Sequence, residues 1–327
     1  MKIITDLAFL DSFYDTWTRP HGISLADGKA RTIQGQFLSL LLEGATVHCA
    51  GVGPNLQQYG NPLLLELNNL NRLRPLAIND FSSFTSITHT CNRSDIALFC
   101  LGNAALHDKV DASAQSGYLI LKDVPTDESL FVNQLVTYNR QTAKSWDFAT
   151  KLFQPHHSIV IADAYLFNEQ GANGLLALLK HIQPKCLGYP YWLTLLGSNA
   201  DRKNSFGLFH PDQIRKLIND MEVLFEEANV PFAVEAFVYN GPDFHDRYIL
   251  TNNLCVLPGY GVSIVKNGKE TPHKEGTWTA ARPFSRVMYN GQQGVYFEKV
   301  MQEKLRTIAG WIGRGDKNGS GNPLLQG

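Results

Sequence analysis

The chain has 327 residues, with 29 basic and 30 acidic side chains, a net charge of −1. Hydrophobic residues make up 44% and charged ones 18%, which excludes wholesale disorder and allows a sizeable core in one large or two ordinary domains. The charge balance argues against a dedicated high-affinity DNA coat protein but not against a local basic groove. Residues 240–327 hold 11 basic against 7 acidic side chains, so an anionic ligand is expected to meet that end.

In chain order, the opening Met1–Phe13 carries Asp6 and Asp11, which break any signal-peptide apolar region. Phe37–Leu42 reads as the end of a helix and Ala45–Val52 as a strand closed by Gly51, Gly53 and Pro54. Leu63–Leu73 reads as helical, and Asp95–Leu101 and Tyr118–Leu121 as two further strands. Near Pro125 the pattern changes. Thr126 can cap a helix with Asp127 and Glu128 in its first turn, and helical character is expected to about Phe153.

Regular alternation follows. Ser158–Ala162 is a strand, Gly171–Ile182 a helix with an apolar face, and Tyr191–Leu196 a strand. Pro211 opens the clearest helix, in which Ile214, Leu217, Ile218, Met221, Leu224 and Phe225 recur at three and four residues. Leu217 and Leu224 are expected to be buried. Strands at Phe232–Tyr239, Arg247–Thr251, Cys255–Leu257 and Gly261–Val265 come next, then a last helix over about 294–312. The Gly-, Asn- and Ser-rich stretch 313–327 reads as a disordered tail. The fold class expected is α/β: a mainly parallel sheet with helices on both faces and an antiparallel extension in 126–312, and an N-terminal α/β domain of unassigned type in 1–125.

Cys49, Cys91, Cys100, Cys186 and Cys255 form no CxxC pair. Scattered free thiols without a leader point to buried cysteines in a reducing cytoplasm. No run of about 18 apolar residues suggests a membrane span. No His/Asp/Glu group has metal-ligand spacing, so no metal or other cofactor is expected.

One constellation carries chemistry: Phe244-His245-Asp246-Arg247-Tyr248-Ile249-Leu250-Thr251-Asn252. On a strand, His245 and Arg247 point to one side. An imidazole beside a guanidinium fork makes a phosphate site, or else these are ordinary polar residues at a surface strand's start. His107-Asp108-Lys109 repeats the H-x-K spacing but lacks the apolar run after it and reads as an exposed loop. His156-His157 reads as surface, and His273, in a basic loop, as a candidate ligand contact. Glu235 stands in an apolar strand, where a carboxylate needs a partner; it could orient His245 or pair with Arg247. Asp163, at the end of a parallel strand, is either a site residue or a helix cap. Residues 264–286 carry five basic and two acidic side chains, Lys266 among them, with Trp278 and Phe284 interleaved. That composition suits a nucleic-acid backbone or a lipid head group, or simply a solvated hairpin.

The segment resembles the phospholipase D superfamily, whose signature is H-x-K-x4-D followed by a Gly-rich stretch. His245 matches the His, Arg247 stands for the Lys and Asn252 for the Asp, and Gly259-Tyr260-Gly261-Val262-Ser263 follows. Upstream, Lys151–Ala172 is similar to that fold's opening helix, strand and D-x-Y turn, with Asp163 and Tyr165 in the turn. The H-D-R form looks closest to the phospholipase-D-like domain at the C-terminus of MIT-domain proteins and their bacterial relatives. The resemblance spans residues 126–312.

It implies a metal-independent phosphodiesterase, foremost a nuclease or effector acting on nucleic acid. His245 would be nucleophile or acid, Arg247 would hold phosphate, and Asn252 or Ser263 would donate a further hydrogen bond. A second His would come from another motif or from a homodimer. The Lys-to-Arg and Asp-to-Asn changes favour the alternative, a catalytically silent module that binds nucleic acid, anionic lipid or a protein partner. A phospholipase is disfavoured, since no amphipathic membrane-docking stretch stands out.

Overall fold

A computed structural model describes residues 1–18, 25–76, 95–111, 117–125, 128–131, 134–138, 146–184, 190–198, 211–241, 244–259, 276–316 and 318–326. The chain is α/β and divides into two compact units: Met1–Val132 with Arg282–Glu298, and Asn133–Ala281 with Lys299–Gly327.

The first unit is built on five strands: β1 (Lys2–Asp6), β2 (Thr46–Ala50), β3 (Leu73–Leu76), β4 (Ala97–Cys100) and β5 (Leu119–Leu121). Their order is β3-β2-β1-β4-β5, and every neighbouring pair is parallel. Parallel strands covered on both faces need continuous apolar runs, and the Ala-Leu-Phe-Cys run of β4 is buried throughout. Ile4, Ala50, Phe99 and Tyr118 make one core patch. Helices α1 (Leu7–Thr18), α2 (Leu25–Ser39), α3 (Pro62–Asn69) and α4 (Ala104–Asp111) accompany the sheet. Phe37 of α2 meets Phe9 and Phe13 of α1 edge-on, at 5.9 and 5.1 Å. His107 falls inside α4 rather than in a loop.

At the carboxyl end of β1, Asp6 is 4% exposed. Its Oδ1 accepts the amides of Phe9 (2.7 Å) and Gly102 (3.2 Å), and its Oδ2 accepts that of Asn103 (2.9 Å). A side chain at Gly102 would stand 2.7 Å from the Phe9 nitrogen, so only glycine lets the two segments close on the carboxylate. The unit is completed by the hairpin Arg286–Tyr289/Gln292–Tyr296. Asn290 and Gly291 both have positive φ, which turns the chain with the twist its strands need. Arg286 pairs with Glu43 at 2.5 Å and lies 4.7 Å over the Tyr296 ring.

The second unit holds β6 (Gln134–Tyr138), β7 (Ser158–Ala162), β8 (Tyr191–Gly197), β9 (Phe232–Val238), β10 (Tyr248–Thr251), β11 (Cys255–Pro258) and β12 (Gly276–Ala281), ordered β6-β12-β11-β10-β7-β8-β9. Only β7–β8 and β8–β9 pair in parallel; the other four contacts are antiparallel. This sheet is therefore mixed, not mainly parallel. The cause is local: only Asn252, Asn253 and Leu254 separate β10 from β11, too short a link for a parallel crossover.

Gln134–Tyr138 is also a strand where a long helix was expected. Leu135 and Thr137 are exposed and Val136 is half-buried, an alternation that suits an edge. The helix there, α5, spans only Asp147–Phe153. With α6 (Glu169–Ile182) and α7 (Pro211–Glu227) it covers one face of the sheet, over Ile159, Ile161, Leu193, Leu195, Ile249 and Trp278. Leu217 is buried at 2%, but Leu224 is only half-buried, beside α6.

The opposite face meets α8 (Phe297–Gly315), whose Trp311 lies 5.8 Å from Tyr239 and 5.1 Å from Phe244. The stretch 318–326, expected to be disordered, folds back over the same face. Asn322, fully buried, donates to Ile159 O (3.1 Å) and Thr194 Oγ1 (3.0 Å), and Leu324 is 4% exposed. Here specific partners outweigh a composition that reads as flexible.

Candidate functional site

β7 ends at Ala162 and the chain turns sharply. The Asp163 amide donates to Leu196 O (3.0 Å), its carbonyl accepts from Leu166 N (3.0 Å), and its Oδ1 accepts from Tyr165 N (2.9 Å). The Asp163 side chain is thus held at 1% exposure. β10 runs antiparallel to β7 and pairs Tyr248 with Ala162, which brings the residue before Tyr248 beside Asp163. Arg247 Nε lies 3.5 Å from Asp163 Oδ1, Nη1 donates to Gly259 O at 2.9 Å, and the guanidinium carbon stands 5.2 Å from the centre of the Tyr165 ring. Asp163 and Tyr165, two residues apart in one turn, form a cluster with the distant Arg247.

Residues 244–247 precede β10 and are not a strand, so the expected alternation of His245 and Arg247 does not operate. The segment is pinned instead by Phe244, 1% exposed against Trp311 and Tyr239. His245, exposed, and Arg247 still open on one cleft of about 540 Å³, lined also by Asp246, Tyr248, Leu257, Pro258, Gly259 and Lys304. The Tyr248 hydroxyl donates to Asp246 Oδ2, and Lys304 Nζ lies 5.0 Å from the centre of the Tyr248 ring. Sequence reasoning missed Lys304. It is one polar residue on a helix 57 positions beyond Arg247, and no local motif marks it.

Two expected site residues lie elsewhere. Asn252 sits in the turn at the far end of β10, roughly 15 Å from Arg247 along the strand. It is fully buried, and its Oδ1 accepts the His157 amide at 3.0 Å, so it serves the turn. Glu235 does not reach His245 or Arg247. Its carboxylate accepts from Gly321 N (2.7 Å), Thr194 Oγ1 (3.3 Å) and Ser320 Oγ, two of the three supplied by the folded-back C-terminal stretch. Ser263, Lys266 and His273 lie outside the described residues. Trp278 and Phe284 are buried to 0 and 1% and are core rings, closed to stacking on a base.

His156 and His157, expected at the surface, are both fully buried. His156 Nδ1 faces the Phe153 carbonyl (3.2 Å), which can only accept, so its Nε2 takes the Tyr191 hydroxyl (3.0 Å). Burial pushes this imidazole down to about 4 against the weaker opposing pull of the Phe153 carbonyl. Cys49, Cys100 and Cys255 are free and buried, and burial raises each thiol, that of Cys255 to about 12. Such thiols are poor nucleophiles. Among the described residues no helix is long and apolar enough to cross a membrane, and no three His, Cys, Asp or Glu gather as a metal site.

The site's chemistry is thus a guanidinium fixed by a carboxylate, a carbonyl and a ring, next to an exposed imidazole. Compared with known protein families and with curated proteins, the chain matches none.

Proposed function

We propose that the His245–Arg247 cleft binds the phosphate of a phosphodiester, with nucleic acid the foremost source. The carrying observation is the fixing of Arg247: three contacts hold its fork beside the exposed His245, at the carboxyl end of a central strand where such sheets place ligands. A donor already held loses little entropy on meeting an oxyanion. Two features favour binding without turnover. Asn252 is turned to the far end of β10, and the described part of the cleft contains one imidazole.

A hydrolytic reading rests on the exposure of His245, which leaves it open to a second copy of the chain. One imidazole nitrogen would attack phosphorus as the bond to the leaving oxygen breaks. The partner's His245, protonated, would give its proton to that oxygen; water, losing a proton to that now neutral imidazole, would then break the phosphorus–nitrogen bond and release a phosphomonoester. In both readings no metal takes part.

The test is binding of a labelled single-stranded oligonucleotide, and of vesicles containing anionic lipid, by wild type, His245→Ala and Arg247→Ala, with cleavage followed in EDTA. Arg247→Ala is expected to weaken binding by about 1.5–3 kcal/mol, the range for a charged hydrogen bond. Preference for vesicles would move the source to a lipid head group. Cleavage lost in His245→Ala would establish the hydrolytic reading, and two variants that bind and cleave like wild type would end both.

A further inference from the structure

We infer that Lys304 is the residue that lets this cleft hold an anion, and that Asp246 and Tyr248 place its ammonium there. The inference rests on the phosphate reading of the cleft and adds a cation that the H-D-R segment lacks. Arg247 alone is a poor source of positive potential, because the buried Asp163 carboxylate lies 3.5 Å from its Nε. Asp246 adds a second carboxylate to the lining. His245 apart, the described residues of the cleft and the Asp163 behind it carry one net negative charge without Lys304 and none with it. An oxyanion entering the first arrangement meets repulsion, whereas in the second it meets two cations whose fields add at the cleft.

The placement of Lys304 is built. Tyr248 is 3% exposed, and its ring is fixed at one end by β10 and at the other by its hydroxyl bond to Asp246. The ammonium sits over that ring at 5.0 Å, within the range in which an aromatic face attracts a cation. Met301 and Leu305, on the same helix, are 0 and 7% exposed and seat α8 so that the half-buried Lys304 opens on the cleft. Asp246 thus acts on the site through Tyr248: it is a positioning residue, and its own negative charge is partly occupied by the hydroxyl it accepts.

The experiment titrates dimethyl phosphate into the full chain and follows the backbone amides of residues 244–259 by NMR, for wild type, Lys304→Met, Lys304→Arg, Tyr248→Phe and Arg247→Ala. Lys304→Met keeps the apolar stem and removes the charge; it should weaken binding by about tenfold or more. Lys304→Arg should restore most of that loss, which a merely structural role for the side chain would not predict. Tyr248→Phe keeps the ring and frees it from Asp246, and a loss of a few fold is expected. If Lys304→Met binds like wild type while Arg247→Ala does not, the assignment of Lys304 is overturned and the phosphate reading stands. If Lys304→Arg is as weak as Lys304→Met, charge is not the cause and the assignment is again overturned. If wild type leaves these amides unmoved, both fall. Should Met at position 304 lower the melting temperature, Lys304→Gln, with a polar end, takes its place under the same criteria.

Discussion

Asp6 and Asp163 occupy equivalent places in two different sheets. Asp6 is the last residue of a central strand and Asp163 follows directly on another, and each is nearly buried, at 4 and 1%. They differ in what satisfies them. Three backbone amides converge on Asp6, from Phe9, Gly102 and Asn103. Asp163 takes the Tyr165 amide and faces the Arg247 guanidinium, which itself borders a cleft. A carboxylate at the carboxyl end of a central strand is therefore not a site by position alone. Closed by main-chain donors it is a clamp; paired with a side chain that opens on solvent, it tunes whatever that side chain meets.

The largest expected effect tests the clamp. Asp6→Ala strands three amides at a buried turn and should cost about 3–5 kcal/mol in denaturant unfolding, with anion affinity unchanged. A cost below about 1 kcal/mol would show that the amides find other acceptors and would dissolve the contrast.

Acid should separate the units next. The His156 imidazole, depressed to about 4 from 6.5 mainly by burial, binds a proton more readily in the unfolded chain. Stability is then full above about pH 6.5 and falls as pH drops toward 4, by about 3 kcal/mol in all. Comparing wild type with His156→Gln from neutral pH to pH 4 isolates this term, since the variant's slope should be shallower over that window. His48 of the first unit is lowered too, first by burial and then by the charges of Lys2 and Arg74, but it is only half-buried and should contribute less.

Glu235, half-buried, is a third carboxylate held by hydrogen bonds and sharpens the comparison inside the second unit. Asn322→Ala, which removes donors to Ile159 O and Thr194 Oγ1 beneath the folded-back stretch, should cost about 2 kcal/mol without touching the cleft. Smallest in stability, and most telling for function, is Asp163→Asn. Arg247 is 25% exposed and keeps its bond to Gly259, so unfolding should lose only about 1 kcal/mol. Anion affinity should rise a few fold, because the charge opposing Arg247 is gone. A fall in affinity would mean that Asp163 aims the fork more than it neutralises it.

Elements with strong periodicity are legible in the sequence: Ser158–Ala162, the α6 and α7 helices, and the β8 and β9 strands appear where their patterns put them, the strands in one sheet with β10. What failed was decided at a distance. Gln134–Tyr138 exposes Leu135 and Thr137 on one side and becomes a strand by pairing with β12; its short Val-Thr-Tyr run, the one local hint, is outweighed by the helix start read at Thr126. Lys2–Asp6 and Leu7–Thr18 attracted notice only as a broken signal sequence, although Ile3 and Ile4 sit at the centre of a parallel sheet. At the site, Asp163, Tyr165, His245 and Arg247 could be named from motif and spacing. The displacement of Asn252 follows from the length of β10, and the capture of Glu235 from residues 320 and 321, which share no pattern with it. Lys304 could be named only once α8 had a partner face.

The interleaving of the two units has a consequence for how the chain is made. The first unit takes residues 282–298, and with them the Arg286–Glu43 pair, from beyond the whole sheet of the second. The second takes Lys304 and residues 320–322 from later still. During synthesis at about 5–20 residues per second, β1 through β5 wait on the order of ten seconds or more for their closing hairpin. Over that interval the five-stranded sheet must persist unfinished or be sheltered. A fragment ending at residue 132 should therefore aggregate or bind chaperones, and supplying 282–298 through a short linker should restore its solubility.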